Sequence, residues 1–237
     1  MQKPFLFVAL DDLDKKEKET LEIVERLVAV DGPFGFKINL DYLLNPMLST
    51  KTLLFQMRQR FGRPVFADLK MWNGTRTMRS VIETLVDAGV DYLNVYALAD
   101  DLLPGAIKAV EGSKTKVLAV TVLTHYSEDY CQKWFQRSLR GTVRLGAEVA
   151  LERGCHGIIL PGTVLAIVKD LDLEKWTPGV RLPWYPEDAR HQQEVEPRVA
   201  VNGGATGLVC GGPIMKSQEK VGIDSVEALK RVLAEMM

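Results

Sequence analysis

Sulfur chemistry has little to work with in this chain. Its 237 residues include three cysteines, Cys131, Cys155 and Cys210, with no CxxC pair among them. Three thiols cannot all be bridged to one another, so neither a disulfide scaffold nor a cysteine zinc cluster is expected, and a reducing cytoplasm is the default setting. Long apolar runs are missing too. None approaches the roughly 18 residues that cross a bilayer, so no membrane association is expected. The opening MQKPFLFVALDD has neither the apolar core nor the small-residue cleavage site of a signal peptide. Charge of one sign is not in excess: 30 Lys and Arg face 31 Asp and Glu. A net charge of −1 provides no global field for nucleic acid, and none is expected as a partner. The three histidines, His125, His156 and His191, show no metal-ligand spacing.

What is present is an ordinary globular composition, 46% apolar and 26% charged. Short β-rich apolar runs alternate with longer helical patterns throughout. The runs are 4–12, 35–40, 64–70, 92–98, 116–124, 156–160, 175–181 and 207–214. Between them, Met78, Val81, Ile82 and Leu85 recur at helical spacing, with Gly89 where a helix end favours a left-handed residue. The last helix is predicted to start at Asp224-Ser225 and to bury Leu229, Val232, Leu233 and Met236. Some eight strand–helix units of this length predict a single-domain (β/α)8 barrel over residues 1–237. An open doubly wound sheet is the competing arrangement, but it usually carries GxGxxG after its first strand, and Ala9-Leu10-Asp11-Asp12-Leu13-Asp14 offers none.

A barrel places its chemistry at the C-terminal ends of the strands. Those ends read Asp11-Asp12, Lys37, Asp68 with Lys70, Thr124 with His125, Arg181 and Gly211-Gly212. Asp68 and Lys70, two residues apart on a strand, are expected on one side of it, with Lys37 approaching the same space. Two ammonium groups around one carboxylate form an alternating array in which each charge lowers the cost of burying the next. The bland alternative is an ion-pair lattice closing the barrel, although branched apolar residues normally do that. His156, at a strand start, reads as structural, and His191 as solvated. Cys210 reads as a packing residue. The run Lys15 to Glu19 reads as the solvated face of the first helix. Trp72 fits either a dimer contact or a cap over the pocket.

The same residues resemble the orotidine 5'-monophosphate decarboxylase family. Ala9-Leu10-Asp11 matches its first-strand ALD, Lys37 its second-strand lysine, and Asp68 to Thr77 its DxKxxDxxxT. Thr121 to Thr124 matches TVLT, Thr177 to Arg181 matches TPGxR, and Gln192 matches a QxxV glutamine. Pro197 to Ile214 follows PxxAxxxGAxxxVxGRPI without a gap. The resemblance implies decarboxylation of orotidylate to uridylate without metal or organic cofactor. It implies that Lys70 protonates the ring carbon, that Asp68 faces the substrate carboxylate, and that Lys37 holds Asp68 and the ribose. Asp11 and Thr77 would bind sugar hydroxyls or neighbouring groups, while Thr124, Pro178, Gly179, Arg181 and Gln192 would line the substrate site. It implies a homodimer with active sites at the interface, the loop Met71 to Thr75 reaching the partner.

Three positions depart from the family pattern. Asn73 replaces the second aspartate of DxKxxD, His125 stands where serine is common, and Gly212 stands where GRPI has an arginine. Arg190, in a lid-like loop over about 182–196, is one candidate to meet a phosphate. The backbone donors at Gly179 and Gly211-Gly212 are another. A decarboxylase of a closely similar nucleotide stays open beside orotidylate itself, and two other functions stay open on these residues. One is a sugar-phosphate lyase of the same superfamily, which would use magnesium held partly by a second-strand glutamate where this chain has Lys37. The other is a nucleotide-binding barrel without activity.

Overall fold

The computed structural model describes residues 3–44, 50–186 and 193–237. Eight parallel strands close on themselves in sequence order. They are β1 (Phe5–Ala9), β2 (Phe34–Asn39), β3 (Val65–Met71), β4 (Tyr92–Tyr96), β5 (Lys116–Val120), β6 (Gly157–Ile159), β7 (Glu174–Thr177) and β8 (Gly207–Cys210). Helices follow the strands around the outside. The longer ones are α1 (Glu17–Leu27), α3 (Thr50–Phe61), α4 (Thr75–Asp87), α7 (Leu139–Glu152) and α11 (Ser225–Glu235). Shorter ones are α2 (Leu40–Leu43), α5 (Leu103–Val110), α6 (Glu128–Phe135), α8 (Pro197–Asn202), α9 (Gly212–Met215) and α10 (Ser217–Val221). The predicted barrel is therefore the observed one. Several strands are shorter than their apolar runs, although β2 and β3 are not: 4–12 becomes Phe5–Ala9 and 175–181 becomes Glu174–Thr177, so Asp11 and Arg181 stand on loops beyond their strands.

Alternation along each strand separates two cores. Leu6 and Val8 of β1, Phe34, Phe36 and Ile38 of β2, and Leu93 and Val95 of β4 face the helices. Phe7, Phe66, Leu118, Val120, Ile159, Trp176 and Val209 fill the barrel interior. Aromatic rings make its floor, with Phe7 5.4 Å from Phe66 and 5.1 Å from Trp176 between centroids. Trp176 lies flat against the β8 backbone, where a Cβ on Gly207 would fall 2.3 Å from its ring. Burying an aromatic of this kind stabilises the fold by about 1.5–3 kcal/mol. Gly207 is therefore needed for close approach.

The predicted helix signals hold. Met78, Ile82 and Leu85 are buried on α4, and Gly89 follows it with φ +78°. Asp224 accepts from the Val226 N–H at 2.9 Å and caps α11, which buries Leu229, Val232 and Leu233. His156 accepts the Val117 N–H at 3.1 Å, and burial, followed by Lys116, lowers its pKa, in keeping with a structural role. Cys210 ends β8, fully buried.

Candidate active site

Beyond the aromatic floor, a group of polar interior positions gathers at the C-terminal end of the strands. Lys37 and Asn39 of β2, Asp68 of β3 and Asn94 of β4 meet there in one hydrogen-bonded cluster. Above them opens a cleft of about 770 Å3. Asp11, Thr124, His125, Pro178, Gly179, Arg181, Gly211 and Gly212 line it together with Lys37, Asp68 and Lys70. Eleven positions singled out in the sequence thus converge at the C-terminal mouth of the barrel.

Asp68 is the hub. Its Oδ2 accepts from Lys37 Nζ at 2.9 Å; its Oδ1 accepts from Lys70 Nζ at 2.7 Å and Asn94 Nδ2 at 2.7 Å. Burial by itself would raise this carboxyl, but Lys37 and then Lys70 outweigh it and hold the pKa far below the usual carboxylate range. Lys37 behaves in the converse way. Burial would lower its ammonium, yet Asp68 and Asp11 together raise it.

The two lysines differ in what remains available. An ammonium has three donors. Lys37 directs them to Asp68, to Asp11 Oδ1 at 3.2 Å and to Asn39 Oδ1, and its side chain is 8% exposed. It is saturated. The Lys70 ammonium contacts Asp68 alone among the described residues, and the side chain is 41% exposed to the cleft. Asp11 is also held down: burial opposes, Lys37 prevails. Asn39 donates to it at 3.2 Å.

Regular alternation on β3 does not bring Lys70 to Asp68. Between the pairs Ala67–Leu93 and Met71–Val95, β3 advances four residues while β4 advances two. The surplus forms a bulge, in which Lys70 takes φ +46°. A left-handed backbone at a non-glycine residue costs about 1–3 kcal/mol and persists only where its surroundings impose it. The two charges meet as expected, but across a bulge.

Other expected site residues lie elsewhere. Asn73 is exposed after β3, its Oδ1 accepting the Gly74 N–H at 2.8 Å, and Thr77 is half-buried on the first turns of α4; neither lines this chain's cleft. Trp72 is 58% exposed and does not cap the cleft of its own chain. Arg190, His191 and Gln192 fall outside the described residues. Arg181 is ion-paired to Glu194 at 3.0 Å, and its Nη1 donates to the Val180 carbonyl at 2.9 Å. Lys15, read as solvated helix surface, precedes α1 and lines the cleft.

Several cleft residues went unnoticed in the sequence. Asn94 and Asn39 were visible as amides inside apolar strands. Lys216, four residues after Gly212, and Lys220 also line the cleft, with Lys216 Nζ 2.7 Å from Asp12 Oδ2. Tyr185 lines it beside Gly212. No group of three or more His, Cys, Asp or Glu able to hold a metal occurs among the described residues. No described helix is long and apolar enough to cross a membrane.

A family model described as "Orotidine 5'-phosphate decarboxylase / HUMPS family" matches residues 4–227. The orotidine 5'-phosphate decarboxylase of Caulobacter sp. (strain K31) is 30% identical over 210 residues, 87% of each chain. That of Carboxydothermus hydrogenoformans is 29% identical over 228 residues, 91% of this chain and 90% of its own. Among solved structures, orotidine 5'-phosphate decarboxylase from Lactobacillus acidophilus superposes with a TM-score of 0.78 at 23% identity, over 99% of both chains. An uncharacterized conserved protein from Geobacillus kaustophilus superposes at 0.76. At such identity the likeness of structure speaks for the fold.

Proposed function

The chain belongs to the orotidine 5'-phosphate decarboxylase / HUMPS family, and from that premise we propose that it converts orotidine 5'-phosphate to uridine 5'-phosphate with no metal or organic cofactor. The observation that carries this reading is the inequality of the two lysines around Asp68. Lys37 is spent on three acceptors, whereas Lys70 keeps donors turned to the cleft. The substrate carboxylate is set against the Asp68 anion. The bond from carboxylate to ring carbon breaks, its electron pair stays on that carbon, and carbon dioxide leaves. Lys70 donates a proton to the same carbon and is reprotonated from water. Fixed charges arranged before the reaction stabilise the developing carbanion more than they stabilise the substrate.

Asp11 and Asn39 address the ribose beside Lys37; Thr124 and His125 address the ring. The phosphate takes the end of the cleft formed by Gly179, Gly211 and Gly212. There Lys216 supplies the cation that an arginine at position 212 would have brought, with Lys220 nearby. Asn73 and Thr77 serve the site of a second copy in a homodimer, which would cover the exposed Trp72.

A sugar-phosphate lyase is less well supported, because a magnesium site needs oxygen ligands and β2 presents Lys37. The test is uridylate formation from orotidylate, with and without chelator. Equal turnover in both supports the reading. No turnover, or turnover restored only by magnesium, defeats it.

A further inference from the structure

Asn94 is fully buried on β4 between Leu93 and Val95, opposite the two surplus residues of β3. A regular strand sends successive N–H groups to opposite sides. In the bulge, the N–H groups of Leu69 and Lys70 instead converge on Asn94 Oδ1, at 2.8 and 2.6 Å. The other end of the same amide donates to Asp68 Oδ1 at 2.7 Å, the oxygen that also receives Lys70 Nζ. One side chain therefore fixes both the backbone and the carboxylate partner of Lys70. The position demands an acceptor and a donor about one amide apart. Ionised aspartate lacks the donor, leucine lacks both, and glutamine is one methylene too long.

We infer that Asn94 is the positioning residue of this site: it holds Lys70 in its left-handed bulge so that the ammonium points along Asp68 into the cleft. The inference rests on Lys70 being the proton donor. It assigns to Asn94 an effect on the chemical step, beyond satisfying two buried amides. A displacement of about an ångström of a reacting group lowers turnover by on the order of 10²-fold.

Two full-length variants test it, Asn94→Asp and Asn94→Ala. Each is assayed on orotidylate across pH, and hydrogen exchange is followed at the Leu69 and Lys70 amides. The charged or titratable groups facing Asp68 are Lys37, Lys70, Tyr96 and, beyond Lys37, Asp11. In Asn94→Asp the acceptor for both amides survives, so their protection persists. A second carboxyl now opposes Asp68; Asp68 has Lys37 and Lys70 beside it, so the introduced carboxyl takes up the proton, at a raised pKa, and on doing so regains a donor. The expected result is a kcat about 10²-fold lower where the introduced carboxyl is ionised, recovering as pH falls through its raised pKa, with a KM within about fivefold. In Asn94→Ala both amides exchange rapidly and kcat falls similarly. A kcat within about threefold of wild type with an unmoved profile overturns the inference, however much thermal stability is lost. So does persistent protection of both amides in Asn94→Ala. If Asn94→Ala fails to fold, the kcat and pH profile of Asn94→Asp decide. Wild-type protein that releases no carbon dioxide from orotidylate overturns the functional reading and the catalytic role of Asn94 together; its appearance in the unmutated chain distinguishes that failure from the others.

Discussion

Gly212 and Tyr185 share one space: a Cβ built on Gly212 falls 3.0 Å from the Tyr185 phenolic oxygen. Tyr185 also lies under the Arg181 guanidinium, 6.0 Å from ring centroid to carbon. A side chain at position 212 requires the tyrosine to give by a few tenths of an ångström. The cation missing at 212 has its nearest sequence substitute at Lys216, four residues on.

Lys216→Ala is therefore expected to act on binding. KM for orotidylate rises about tenfold or more while kcat changes little, since phosphate contact is made equally in ground and transition states. Calorimetry with uridine 5'-phosphate gives the same loss, and an unchanged affinity would move the phosphate away from Lys216.

The two lysines beside Asp68 should fail differently. Lys70→Ala, at a half-exposed position, leaves the melting temperature near wild type but reduces turnover by at least about 10²-fold, as expected for a positioned proton donor. Retention of more than about a hundredth of activity rules out that role. Lys37→Met removes the buried cation of Asp68 and leaves it only Lys70 and Asn94, costing up to about 3–5 kcal/mol of stability, read by chemical denaturation.

The pH dependence of stability follows from the directions of the shifts. Asp68 has a lowered pKa when folded, so its contribution is complete above the unfolded value near 3.8 and is lost as pH falls toward the folded one. Lys37 has a raised pKa, so its contribution is complete below about 10.5 and is lost as pH rises through the folded value. Thermal melts of wild type are expected to fall below pH 4 more steeply than those of Asp68→Asn. Parallel acid limbs in the two proteins would show that the cluster does not carry this linkage.

At position 73, asparagine leaves the lysine pair less balanced than an aspartate would. If the loop reaches a partner's site, Asn73→Asp holds Lys70 more firmly and raises kcat on orotidylate, with KM rising as the substrate carboxylate meets a second anion. Trp72→Glu, in the same loop, is expected to shift sedimentation from dimer to monomer and to lower activity with it. An unchanged kcat in the first variant and an active monomer in the second would place the loop outside any site.

The barrel was legible because strand and helix periods are local properties: each apolar run and each capping residue speaks for its own segment. Asp11, Lys37, Asp68 and Lys70 were legible because charges at strand ends have no packing reason to be there. Strand boundaries were not, since apolar residues continue past Ala9 and Thr177 into loops that also pack inward. The sequence alone thus determined the architecture and the edge of the barrel where the charged residues meet. Only the closed barrel decided which contacts they make. The β3 bulge depends on a register between β3 and β4, and the partner of its amides, Asn94, comes from another strand. Lys15 and Lys216 reach one cleft from opposite ends of the chain because β1 pairs with β8. Register and closure arise from contacts distant in sequence, and no local pattern contains them.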